Sequence, residues 1–265
     1  MAPPPTLALT IGGLRFQLLA WPGLHETLAR RYSTFSAPPG HPPDLTLEIS
    51  NSIASPQQPN APPCTFHGEN VRFDLPGFQG GIDPVGRRAT LQLSAPDPAL
   101  AVDYFLRVAC ALLAYRAGGL LFHAAGVVHR GRAFLFFGPS GSGKTTVARN
   151  SPGAVILNDD LIILRPDSPG WRAHGTPFTN PSQIPPANAS APVAAFLRLS
   201  QSAEVRLEPL RPAQALAELL ASAPILNASP QPPIERCQQL LAVIPAYRLH
   251  LRPEPSFWPV LEAIP

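Results

Sequence analysis

Residues Gly138 to Thr145 read Gly-Pro-Ser-Gly-Ser-Gly-Lys-Thr, a glycine and four residues followed by Gly-Lys-Thr. That spacing suits the holding of a polyphosphate. Gly138, Gly141 and Gly143 lack the Cβ that disfavours positive φ, so the backbone can turn successive N–H groups inward around phosphate oxygens. Pro139, Ser140 and Ser142 complete the loop, and Thr146 follows it into the next element. Lys144 adds a mobile charge, and Thr145 offers a hydroxyl to magnesium. Of the twenty basic residues, Lys144 is the only lysine. Whatever favours arginine elsewhere fails here, where a compact ammonium must fit beside the β- and γ-phosphates and a planar guanidinium would not substitute.

A second group follows. Ala154 to Leu157 is an apolar run that ends in Asn158-Asp159-Asp160. A carboxylate at the end of the strand after a phosphate loop is placed to hold magnesium, and an adjacent one can take the proton of an incoming hydroxyl. Thr145, Asp159 and Asp160 are therefore the candidate metal residues, with the division of labour between the two aspartates left open. His123, on the apolar run Leu120 to His129, reads by itself as a packed histidine.

The elements that must position these groups are legible from pattern. Ala133 to Phe137 is apolar throughout, as a buried strand is, and Thr145 to Asn150 begins a helix whose N-terminus favours anions. Leu120 to His129 and the strand before the loop, joined at Arg130-Gly131-Arg132, read as a hairpin. Pro98 to Ala117 is helical and stops at Gly118-Gly119. Ahead of it, runs at Leu7 to Ile11, Leu14 to Leu19, Leu45 to Ile49, Val71 to Leu75 and Ala89 to Leu93 predict strands, with Gly12-Gly13 and Gly80-Gly81 as turns. Downstream, strands are expected at Leu161 to Leu164, Trp171 to Thr176, Val193 to Leu199, Glu204 to Leu207 and Tyr247 to Leu251. Helices are expected at Pro212 to Ala221 and Ile234 to Ile244. Phe178 to Pro192 is a proline-rich connection that could serve as an acceptor-binding flap. Two modules result, a β-rich one over residues 1–97 and a nucleotide-binding one over 98–265.

Composition narrows the classes. A net charge of +3, with scattered arginines, does not indicate nucleic-acid binding. Cys64, Cys110 and Cys237 have neither disulfide-framework nor metal-ligand spacing. No charged-then-apolar leader and no long uncharged apolar run is present, so a cytoplasmic protein without membrane contact is expected.

Taken together, the hairpin, the loop and the aspartate pair resemble the catalytic domain of bacterial HPr kinases/phosphorylases, whose fold is related to phosphoenolpyruvate carboxykinase. The matching residues are His123 in Phe-His-Ala-Ala, Gly138 to Thr145, and Asn158 to Asp160. The chain is also similar to the wider set of HPr-kinase-related proteins, including kinases of ribosomal peptides, through Gly175-Thr176-Pro177 and Asn188 to Pro192. The resemblance implies an α/β fold with a phosphate-loop kinase core, whereas the β-rich N-terminal module is read from the strand pattern ahead of it and does not look like that of HPr kinases. It implies ATP and Mg2+ as cofactors, and His123 beside Lys144, Asp159 and Asp160 in the catalytic set. It further implies assembly into homo-oligomers, and a serine hydroxyl of a peptide or protein as acceptor. Ala173 to Phe178 stands where HPr kinases carry a glycine-rich acidic signature, so the resemblance stops short of HPr itself. A kinase of a free small molecule, or a protein that binds ATP without transferring phosphate, would use the same motif. A guanine-specific Asn-Lys-x-Asp motif is excluded, since no second lysine exists.

Overall fold

The structure, a computed structural model, describes residues 3–38, 40–51, 64–94, 96–178, 184–223, 233–252 and 254–264. Two compact units divide between Leu113 and Ala114. The division falls inside a helix whose first residue follows the boundary drawn at 97/98 from sequence.

The first unit contains β1 (Thr6–Ile11), β2 (Leu14–Leu19), α1 (Pro22–Arg31), β3 (Leu45–Asn51), β4 (Cys64–His67), β5 (Asn70–Leu75), β6 (Phe78–Asp83), β7 (Arg88–Leu93) and most of α2 (Pro98–Arg116). Its sheet has the order β1-β2-β3-β7-β6-β5-β4. Strict alternation of buried and solvent-facing residues along β2 and β7 explains why those strands were visible in the sequence. Gly80 and Gly81, expected to form a turn, lie inside β6 instead. A Cβ on Gly80 would sit 2.1 Å from the Thr90 carbonyl oxygen, so the glycine is there for close backbone approach. Helix α2 is apolar and long enough to cross a membrane, but it is two-thirds buried, as a core helix is. Phe105 on α2 packs 5.4 Å from Phe73, ring centre to ring centre. Its buried Asp103 is paired with Arg31 and Arg107, each at 3.1 Å.

The second unit contains β8 (Leu120–His129), β9 (Arg132–Phe137), α3 (Lys144–Arg149), β10 (Val155–Asn158), β11 (Leu161–Asp167), β12 (Gly170–His174), β13 (Ser190–Gln201), β14 (Arg206–Pro209), α4 (Pro212–Ser222), α5 (Pro233–Leu241), β15 (Ala246–Leu251) and α6 (Trp258–Glu262). The fold is mixed α/β, with a second sheet in which β9 lies between β8, antiparallel, and β13, parallel. Strand β9 is apolar at every interior position because both its faces are covered. Leu135 and Phe137 join a core with Leu219 of α4 and Cys237 and Leu240 of α5, while Phe134 and Phe136 face Val147 of α3 and Trp258 of α6. The last residues of the proline-rich connection, Ser190 to Pro192, are already strand β13, and its residues 179–183 lie outside the described part of the chain.

Candidate functional site

Register places the loop. Phe137, the last residue of β9, pairs with Ala124, so the chain leaves the sheet beside His123. Gly138, Gly141 and Gly143 all adopt positive φ. Space at Gly138 is tight as well, since a Cβ there would meet Ser142 Oγ at 3.0 Å and Arg198 Nη1 at 3.2 Å. Lys144 Nζ donates to the Gly138 carbonyl at 2.9 Å and reaches that of Pro139 at 3.4 Å. Burial lowers the Lys144 pKa; Asp160 and Asp159 oppose that effect, and Arg198 adds to it. Helix α3 has only 6 residues, so an anion at the loop would meet backbone amides and Lys144 more than a helix dipole.

The acidic turn is placed by β8 as well. Strand β11 pairs with its first half and β10 with its second, both antiparallel, so Asn158-Asp159-Asp160 crosses between them at the level of His123 to Gly126. Asn158 is buried and holds this turn. Its Oδ1 accepts from the Asp160 and Leu161 amides at 2.7 and 2.9 Å, and its Nδ2 donates to the Thr176 and Phe178 carbonyls at 2.9 and 3.0 Å. The Gly175-Thr176-Pro177 segment is thereby fastened to the acidic turn. Asp160 Oδ1 lies 2.8 Å from His123 Nε2.

Asp159 differs from its neighbour. It is 1 % exposed, and neither carboxylate oxygen has a hydrogen-bond partner among the described residues. Burial raises its pKa, and Asp160 adds to this; the Thr145 hydroxyl, the Asp159 backbone amide and Arg149 pull the other way without closing a hydrogen bond of normal geometry. A buried, unpartnered carboxylate facing a hydroxyl suits a divalent cation. Among the described residues no group of three or more His, Cys, Asp or Glu could hold a metal. Magnesium uses one or two protein carboxylates and completes its shell with phosphate and water.

His123, Lys144, Thr145, Asp159 and Asp160 thus meet on one flank of the loop, whereas Ser142, Gly143 and Thr146 border a cavity on the other. Pro139, Ser140 and Gly141 form the exposed crest. Sequence reasoning missed Arg198, which stands against Gly138 and is held by Glu218 of α4 at 2.8 Å. A signal was present, since an arginine inside the buried run Phe196-Leu197-Arg198-Leu199 needs a reason to be there.

His174, for which the sequence leaves a turn residue and a contact in the acceptor groove both open, ends strand β12 opposite Ile163 and Ser190. Burial, helped by Arg165 and Arg172 and opposed by Asp167, lowers its pKa to about 4. Between the unfolded value near 6.5 and 4, the unfolded chain binds a proton that the folded one refuses. Stability is therefore present above that window and falls as pH drops through it, by about 2 kcal/mol after allowance for solvent screening. Denaturant unfolding at pH 7, 5.5 and 4.5 should show His174→Asn losing less stability on acidification than the wild type. Parallel losses would assign the acid sensitivity to another group.

A family model described as SynChlorMet cassette protein ScmC matches residues 105–264. No curated protein matches the chain. Among solved structures, the Hpr(Ser) kinase/phosphatase from Coxiella burnetii is similar, at 13% sequence identity and a TM-score of 0.32, over 54% of this chain and 93% of that one.

Proposed function

The chain belongs to the SynChlorMet cassette protein ScmC family, and within it we propose, from the geometry of the site, that this protein is an ATP- and magnesium-dependent phosphotransferase acting on a hydroxyl, foremost a serine of a peptide or protein. The observation that carries the reading is the meeting of three features on one flank of the loop: Lys144, the His123–Asp160 pair at 2.8 Å, and the buried, unpartnered Asp159.

The loop amides and Lys144 hold the β- and γ-phosphates, and Arg198 supplies a second positive charge beside Gly138. Asp159 and the Thr145 hydroxyl would hold magnesium, which when bound neutralises phosphate charge as the transition state forms. Asp160 is the base, because it is the carboxylate within reach of solvent and the one oriented by His123. The acceptor oxygen bonds to the γ-phosphorus as the bond from that phosphorus to the β–γ bridging oxygen breaks. ADP leaves with the electron pair, and the hydroxyl proton passes to Asp160. Assignment of a peptide acceptor rests on the likeness of Gly175-Thr176-Pro177 and Asn188 to Pro192 to kinases of ribosomal peptides. Asn158 joins the first of these segments to the base-bearing turn.

The test is transfer from γ-labelled ATP with magnesium to serine-containing peptides, HPr and free hydroxyl metabolites. Labelled acceptor should form with the wild type and fall by about 10³-fold with Asp160→Asn, the scale of a general base. ATP that binds while no acceptor, water included, takes the label would replace this reading by that of a nucleotide-binding protein.

A further inference from the structure

The two flanks of the loop carry different chemistry because of the sheet order. Strands β8 and β10 lie to one side of β9 and bring His123, Asp159 and Asp160; β13 and β15 lie to the other, parallel to β9. Phe137 ends β9 opposite Arg198, whereas β13 continues to Gln201, which pairs with Leu251 at the end of β15. The carboxyl ends of the three parallel strands therefore form a step beside the loop. Gln201 Nε2 donates to the Gly141 carbonyl at 3.2 Å, and the Ser202 amide donates to that of Leu251 at 3.1 Å. Between this step and the loop lies a cavity of about 360 Å³, bordered by Ser142, Thr146, Gln201, Ser202, Leu251 and Arg252.

We infer that this cavity receives the nucleoside end of a nucleoside triphosphate whose phosphates lie in the loop, an inference that rests on the function proposed above. A triphosphate with its γ-phosphorus beside Asp160 extends across the loop, and its α-phosphate and sugar leave over the flank opposite the carboxylates. The cavity opens on that flank. Its volume falls within the range of small-molecule sites, and its place at the carboxyl ends of parallel strands is where α/β sheets bind ligands.

The lining matches a nucleoside in kind. Leu251 gives an apolar wall for a base. Arg252 has a side chain 55% exposed, and its Nε donates to the Ala203 carbonyl, which fixes the guanidinium plane for stacking. Gln201 and Ser202 offer polar contacts to a ribose.

Calorimetric titration of the full chain with ATP and with inorganic tripolyphosphate, each with magnesium, tests this. In Arg252→Ala, and in Ser202→Trp, which fills the cavity, ATP should bind about tenfold more weakly, the scale of one or two lost contacts. Tripolyphosphate should bind these variants within about twofold of the wild type, which also reports an intact loop. Unchanged ATP affinity, or equal weakening of both ligands, would overturn the nucleoside assignment and leave the loop reading standing. Failure of the wild type to bind either ligand would overturn the loop reading, and this inference with it.

Discussion

Replacing Lys144 with alanine is expected to lower kcat/KM for phosphoryl transfer by about 10³-fold, roughly 4 kcal/mol of transition-state stabilisation. No other ammonium can take over its task, because the chain has no second lysine and the Arg198 guanidinium is already paired with Glu218. The ammonium now donates to the Gly138 and Pro139 carbonyls, from which a phosphate oxygen would draw it. Those bonds hold part of a half-exposed loop, so unfolding free energy should change by no more than about 0.5 kcal/mol. Lys144→Arg should also be inactive, since it keeps the charge but replaces a compact donor by a planar fork. Steady-state kinetics with a thermal melt separates the two effects. Activity within threefold of wild type in either variant would remove Lys144 from the catalytic set.

Asp159→Asn should do two opposite things. Without metal, the variant is expected to be more stable than the wild type by about 1–2 kcal/mol, because an unpartnered buried carboxylate costs more than an amide in the same place. A protein of this size should show that as a rise in Tm of about 2–4 °C per kcal/mol. The sign follows from the raised pKa: the penalty is in full force at neutral pH and is relieved as pH falls through that value. Transfer should nonetheless drop by at least about 10²-fold, and magnesium with ATP should stabilise the variant less than the wild type. Gained stability with lost activity is the mark of a residue kept for its ligand. A variant that melts below the metal-free wild type would show that Asp159 serves the fold instead.

Much of this was legible in the chain itself. The hairpin of β8 and β9 and strand β2 were readable because apolar runs and period-two alternation report burial directly. Where sequence reading failed, a local signal had two meanings. Gly80-Gly81 reads as a turn, yet Gly80 is required by the neighbouring strand's carbonyl, a contact between residues ten positions apart. Helix α1 was not anticipated, since a Pro-Gly start reads as a break until Leu24 and Leu28 are seen to be buried.

What the sequence determined by itself is the chemistry on offer: the glycine spacing, the single lysine, the threonine after it and the aspartate pair, all local in the chain. The different surroundings of the two aspartates were decided only in three dimensions. Adjacent and alike in sequence, they point to opposite environments, Asp160 to His123 and Asp159 into a buried site beside Thr145. Arg198 and the cavity beyond Gln201 likewise depend on how far β13 and β15 run past the end of β9, which is a matter of strand register. Alternation says which face of a strand is buried, but β9, β13 and β15 are joined by no short turn, so how far each runs past the next is settled only when segments far apart in sequence pack together.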